Sequence, residues 1–146
     1  MKEKNDPLLL CNQMCFPLYA ASKEIVRRYT PILDVLGLTY TQYITMLVMW
    51  EHGSISVKEI GRLLYLDSGT LTPVLKKLES KGLLSRRRDE TDERLLIVTL
   101  TDEGREMRKK ALSVPAQMSL CVSRLTDIEK QELCALLKKL LSCCEE

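Results

Sequence analysis

The sequence predicts a mainly α fold with a small β-hairpin (α+β), in which a helix-turn-helix runs directly into a hairpin wing. Three observations predict it. Apolar residues, rich in Leu, recur every three to four positions over most of the chain, the period of a helix with one buried face. Two short apolar-striped segments lie between the cap signal at Ser56 and a stop at Gly82, joined by a tight turn. Immediately after them, Leu95-Leu-Ile-Val-Thr-Leu100 is dense in strand formers and is preceded by the wholly polar Asp89-Glu-Thr-Asp-Glu93. At 146 residues the chain is expected to form a single domain, 1–146, large enough to bury a core.

The elements follow in order. Residues 8–29 read as a long helix entered after Pro7, with Pro17 expected to kink or divide it and Pro31 to end it. Residues 32–36 read as a short helical turn closed by Gly37. Thr41 is the expected cap of a helix over 41–51, whose Tyr43, Ile44, Leu47, Val48 and Trp50 face inward. Ser56-Val-Lys-Glu59 matches a capping box, in which Ser and Glu each satisfy a free amide at a helix start. The helix it opens turns Val57, Ile60, Leu63 and Leu64 inward. After the turn Tyr65-Leu-Asp67, a second helix spans about 68–81 with the stripe Leu71, Val74, Leu75, Leu78. Strands are expected over 83–88 and 94–100. Thr101 caps a further helix that runs past Ser113 and bends near Pro115, and a last helix covers 126 or 127 to 142.

Composition narrows the function. Hydrophobic residues are 45 % and charged residues 29 % of the chain, ordinary values for a globular protein. No apolar run approaches the ~20 residues of a membrane helix, and the charged start leads to no signal-type stretch, so the expected setting is cytoplasmic, with no membrane partner. The net charge of +2 is uninformative, but its distribution is not. Lys76, Lys77, Lys81, Arg86, Arg87 and Arg88 face only Glu79 in that interval, a basic stripe suited to phosphates. The six cysteines lack paired zinc-module spacing and His52 is the only histidine, so no metal and no cofactor is expected.

The helix-turn-helix suggests how DNA would be read. A recognition helix presents its N-terminal residues to base edges while the preceding helix crosses the backbone. Ser68, Thr70, Thr72 and Pro73 are small enough to enter the major groove, and the hydroxyls hydrogen-bond bases or phosphates. Ser68 is also a possible helix cap. Lys76, Lys77 and Lys81, further along, reach toward phosphates, as do Arg86 and Arg88 on the wing. Arg94, near the hairpin tip, is suited to a minor groove, with Asp92 placed to orient its guanidinium. Residues 56–100 are thus the expected DNA-binding head.

Leu66-Asp-Ser-Gly-Thr-Leu-Thr-Pro-Val-Leu-Lys-Lys-Leu-Glu79, Arg86-Arg-Arg-Asp-Glu-Thr-Asp-Glu-Arg94 and Leu100-Thr-Asp-Glu-Gly104 together resemble the MarR transcription regulators. The likeness covers nearly the whole chain. It implies a homodimer whose N- and C-terminal helices, 8–36 and 101–144 here, interlock and set two heads on a pseudo-palindromic, double-stranded DNA operator. Within that family the chain resembles the organic-hydroperoxide-sensing repressors. That likeness rests on Asn12-Gln-Met-Cys-Phe-Pro-Leu-Tyr-Ala20, Arg28-Tyr-Thr-Pro31 and Leu38-Thr-Tyr-Thr-Gln-Tyr43. It implies that Cys15 senses the peroxide and that Tyr29 and Tyr40 donate hydrogen bonds to its sulfur across the dimer interface, with Tyr19 in the same pocket.

The chemistry is consistent with that implication. A sensor cysteine reacts as its thiolate, tyrosine hydroxyls are donors that favour the charged form, and Leu10, Met14, Phe16 and Leu18 would prefer organic peroxides. The resulting sulfenic acid condenses with a second thiol. Cys121 lies where the resemblance implies a resolving cysteine. A low-molecular-weight thiol is the alternative, and Cys11, Cys143 and Cys144 are further candidates; Cys134 falls in the apolar pattern of the last helix. A repressor released by a small phenolic ligand, with Cys15 merely lining the pocket, is the rival reading. A thiol peroxidase would leave the basic head without a purpose, so no enzyme is expected.

Overall fold

The structure, a computed structural model, describes residues 6–143. The chain divides into two compact units, the first ending at Val114 and the second beginning at Pro115. In the first unit a 3-10 turn at Leu10–Asn12 precedes α1 (Cys15–Asp34), α2 (Tyr40–His52), β1 (Ser54–Ser56), α3 (Val57–Leu64), α4 (Ser68–Ser80), β2 (Leu84–Arg88), β3 (Leu96–Leu100) and α5 (Asp102–Ala111). Then come α6 (Val114–Cys121), which starts at the boundary, and α7 (Asp127–Cys143).

The two N-terminal prolines act differently from each other. Pro17 divides the expected helix: α1 starts at Cys15, which puts Pro17 in the first turn, where its missing N–H has no intrahelical acceptor to serve. Pro31 does not end the helix. It lies inside α1, which continues one turn to Asp34. The stop is Gly37 (φ +65), where Gly37 N–H donates to Asp34 O and Leu38 N–H to Leu33 O, the paired closure of a left-handed helix end.

The caps are partly as expected. Thr39, not Thr41, caps α2: its hydroxyl accepts from Gln42 N–H and the Gln42 side chain returns to Thr39 N–H, a complete capping box. Ser56 accepts from Glu59 N–H as expected, but the Glu59 carboxylate turns to Arg62 at 2.6 Å instead of closing the box. Asp67 caps α4, which leaves Ser68 as the first helical residue, exposed. Leu47 and Leu63, expected inside, are 43 % and 36 % exposed.

The sheet has three antiparallel strands in the order β1-β3-β2, so the expected hairpin has gained a partner. β3 is central, pairing Leu84 with Leu100 on one side and Ile55 with Val98 on the other. Its Val98 and Leu100 point into a core with Met46, Met49, Ile60, Leu71, Leu75 and Leu78. Each such aliphatic side chain contributes about 1.5–3 kcal/mol by leaving water, and together they hold α4 and the wing to α2 and α3. A neighbouring cluster joins Leu33, Tyr43, Ala111 and Val114, against which Tyr29 and Tyr40 pack. In the second unit Thr126 and Glu129 cap α7 reciprocally, and α7 has no buried residue among those described. Among the described residues no helix is long and apolar enough to cross a membrane.

Candidate functional site

The head is built from short-range signals. Asp67 receives Thr70 N–H on Oδ1 and the Thr70 hydroxyl on Oδ2, both at 2.9 Å. These bonds, the backbone one first, hold its carboxyl below the usual range. Thr70 is therefore fixed by its cap and offers only its remaining lone pairs outward. Ser68 and Pro73 are exposed, and Thr72 is half-buried. Lys76 and Lys77 project from the next turn, both exposed. Gly61 lets α3 meet the turn before α4: a Cβ there would come within 2.8 Å of Leu66 O.

Two of the expected phosphate-binding groups are engaged elsewhere. The Arg86 guanidinium is held by Glu79, with Nη2 at 2.6 Å and Nε at 3.0 Å from Oε2, and Arg86 N–H donates to Oε1. That ion pair keeps Glu79 ionised below the usual carboxylate range and ties α4 to β2. The Lys81 ammonium donates to Gly37 O and to Gln42 Oε1 instead of projecting outward. Arg88 is exposed and donates to Glu93 O at 2.7 Å across the wing.

The wing tip is organised by carboxylates acting on the backbone. Asp89 Oδ1 accepts from Thr91 N–H, the Thr91 hydroxyl and Asp92 N–H, a turn-forming role that sequence reasoning missed. Asp92 was expected to orient the Arg94 guanidinium; it accepts from Arg94 N–H at 3.0 Å instead, setting the chain direction at the tip. The exposed Arg94 joins Lys58, Arg62 and Ser68 around an open cavity of about 440 Å³ between α3, the start of α4 and the base of β3. Lys58 was also missed; it is an exposed cation on α3, which the pattern of inward residues on that helix could have revealed.

The thiol candidates are separated within one chain. Cys15 is the exposed first residue of α1, flanked by the exposed Met14, Phe16, Leu18 and Tyr19, with the Lys23 ammonium 5.9 Å from the Tyr19 ring. Tyr29 and Tyr40 form a ring pair with centroids 4.9 Å apart, and Tyr43 lies 5.8 Å from Tyr29. Burial pushes all three phenols above their ordinary value, so they stay protonated donors at neutral pH. Among the described residues the Tyr29 and Tyr40 hydroxyls have no hydrogen-bond partner. Fourteen residues of helix at 1.5 Å each put Tyr29 about 21 Å from Cys15 along α1. One chain does not bring them together.

Cys11, Cys134 and Cys143 are exposed and Cys121 is partly exposed, its Sγ 3.8 Å from Gln117 O. Cys134, expected in the core, faces out because α7 buries none of its described residues. Cys144 lies outside the described residues. Among the described residues no cluster of three or more His, Cys, Asp or Glu is arranged for a metal ion.

A capped helix-turn-helix, a three-stranded wing and a basic face define a winged-helix DNA-reading protein. Comparison with known proteins gives the family. Residues 27–111 match the model of the transcriptional regulator SarA/Rot. The chain is 49 % identical over 115 residues to the organic hydroperoxide resistance transcriptional regulator of Bacillus subtilis, covering 79 % of this chain and 78 % of that one. It is similar to reduced AbfR bound to DNA, from Staphylococcus epidermidis, at 37 % identity and TM-score 0.76 over 94 % of this chain and 95 % of that one. AbfR has also been solved overoxidised and bound to DNA, and in a disulfide-formed state. A mutant MarR from E. coli on operator DNA aligns with TM-score 0.77 at 27 % identity, over 85 % of this chain and 90 % of that one. The chain belongs to the SarA/Rot and MarR-type transcription regulators, on their organic-hydroperoxide-regulator side.

Proposed function

We propose that the protein is a dimeric redox-sensing repressor that binds a pseudo-palindromic operator while Cys15 is reduced and releases it when an organic hydroperoxide oxidises Cys15. The observation that carries this reading is the separation just described. An exposed thiol flanked by apolar residues stands at one end of α1, Tyr29 stands about 21 Å along it, and Tyr40 at the start of α2 packs on Tyr29, both phenols without a hydrogen-bond partner among the described residues. Two chains packed with their α1 helices antiparallel would join each Cys15 to the partner's Tyr29 and Tyr40. Leu10, Met14 and Phe16 near the thiol, and Ile128, Leu133 and Leu136 on α7, are exposed apolar groups of the kind that subunit interfaces cover. Reduced AbfR bound to DNA and a disulfide-formed AbfR support the redox side.

The Cys15 thiolate attacks the distal peroxide oxygen. An S–O bond forms, the O–O bond breaks, and the alkoxide leaves as the alcohol after taking a proton. The sulfur is oxidised to sulfenic acid and the peroxide reduced. A second thiol, from Cys121 or a low-molecular-weight thiol, then attacks the sulfenic sulfur, forming S–S and expelling water. Either product is too bulky to keep both tyrosine bonds. The two heads must sit one helical turn of DNA apart, about 34 Å, so displacement at the interface spoils both half-sites.

Ser68, Thr70, Thr72, Pro73, Lys76 and Lys77 are the proposed major-groove and backbone contacts, with Arg88 and Arg94 serving from the wing. Asp92 shapes the tip. The chemical route is tested by a non-reducing gel and mass spectrometry after cumene hydroperoxide. A dimer-sized band with Cys15 linked to Cys121, or a monomer carrying one small thiol on Cys15, is expected; an unmodified Cys15 contradicts the reading. Cys15→Ser should bind DNA and ignore the oxidant.

A further inference from the structure

Lys81 ends the recognition helix, where Gly82 (φ +73) and the Leu83 N–H to Leu78 O bond close α4. A cation there has two ordinary uses, the helix's own C-terminal carbonyls and a DNA phosphate. This one serves neither. Its ammonium donates to Gly37 O and, at 3.0 Å, to Gln42 Oε1. Gln42 is only 3 % exposed, and the same oxygen accepts Thr39 N–H at 3.2 Å as one arm of the α2 capping box. A single amide oxygen therefore joins the start of α2 to the end of α4. Tyr40 directly follows Thr39, and its ring packs on Tyr29. On the other side, Glu79 binds Arg86 of β2 through three hydrogen bonds. Chain adjacency of Tyr40 to Thr39, the Gln42–Lys81 bond, the α4 backbone and the Glu79–Arg86 pair thus connect the tyrosine pair to the reading helix and the wing, all within the first unit.

We propose that Lys81 is a positioning residue that transmits a shift of the Tyr40 end of α2 to the recognition helix. The inference rests on the reading of Cys15 and the tyrosines as the sensor. When Tyr40 loses its bond to the sulfur and the first turn of α2 moves, Gly37 O and Gln42 Oε1 move with it. Charge-assisted bonds to both acceptors carry Lys81 along, and α4 tilts as a rigid helix. The Glu79–Arg86 pair makes the wing follow.

Lys81→Met keeps the aliphatic stem and removes both donations. Operator affinity is measured for the reduced and cumene-hydroperoxide-treated forms of wild type, Lys81→Met and Lys81→Arg, using a duplex selected from a random pool by the reduced wild type. The ratio of oxidised to reduced Kd should fall about fivefold or more in Lys81→Met and return in Lys81→Arg, which can still donate to both acceptors. The salt slope of reduced Lys81→Met should equal that of wild type. A slope smaller by about one would mean that the ammonium contacts a phosphate, which would overturn the proposal. If Lys81→Met binds too weakly for a ratio, amide exchange decides. Oxidation should raise exchange at the Lys77–Leu83 end of α4 in wild type and leave it unchanged in Lys81→Met; equal increases in both would overturn the proposal. Release by wild type with an unaltered ratio in Lys81→Met sinks Lys81's role alone. Failure of wild type to release DNA once Cys15 is oxidised sinks the sensor reading and this inference together.

Discussion

At the residue scale, the head depends on carboxylates that hold backbone amides. Asp67 fixes the first turn of α4 and Asp89 the wing loop, and both are kept below the ordinary carboxylate range, Asp67 chiefly by Thr70 N–H and Asp89 chiefly by the Thr91 hydroxyl. The sign follows from the direction. A carboxyl with a lowered folded pKa stabilises the fold above its unfolded value, near 4, and that contribution is lost as pH falls through the folded value. The urea midpoint should therefore drop in acid below about pH 4. Asp67→Asn, which can still cap, should flatten part of that drop; an unchanged acid profile would mean that the cap bonds do not form in solution. Glu24, held by Arg27 and then Arg28 to about 2, should stay ionised through most of the same range. For the DNA contacts, Lys76→Ala and Lys77→Ala should each lower the salt slope of binding by about one. Arg86→Ala should leave the slope alone, because its guanidinium belongs to Glu79.

At the scale of elements, the turn between α3 and α4 is the tightest joint. Gly61→Ala should cost roughly 1–3 kcal/mol by forcing a Cβ against Leu66 O, read from urea denaturation; a change within a few tenths would mean that the turn yields. The helix-turn-helix, the wing strands and α7 were legible in the sequence because their signals are local: a cap, a stripe at helical period, a glycine stop. β1 was not, since three residues of which Ser56 is already the α3 cap carry no alternation to detect; only pairing with β3 makes them a strand. Pro31 misled for a related reason. A proline's penalty is local, and the packing of Leu33 in the core pulls the helix one turn past it. Arg86 and Lys81 looked like free cations because their partners, Glu79 and the Gly37–Gln42 turn, are brought to them only by the fold.

At the scale of the whole molecule, the proposed sensor needs two chains. Cys15, its expected tyrosines and their meeting across a dimer interface were legible only through family resemblance; the residue pattern by itself did not show that the length of α1 keeps Cys15 and Tyr29 apart within one chain. Sedimentation should give a dimer at micromolar concentration, and mixed dimers offer a sharper check. Combining a Cys15→Ser chain with a Tyr29→Phe/Tyr40→Phe chain should leave one composite site intact in each heterodimer and one site lacking both contributions; if the tyrosines acted within their own chain, neither site would be whole and peroxide sensitivity would be lost. The central claim is that oxidising Cys15 releases DNA. Its most direct test is fluorescence anisotropy of the selected operator with reduced protein titrated by cumene hydroperoxide, with Cys15 modification followed in parallel. The account predicts that operator affinity falls at least tenfold as about one equivalent per subunit is consumed, and that Cys15→Ser stays bound. Full oxidation of Cys15 with undiminished operator affinity would contradict it.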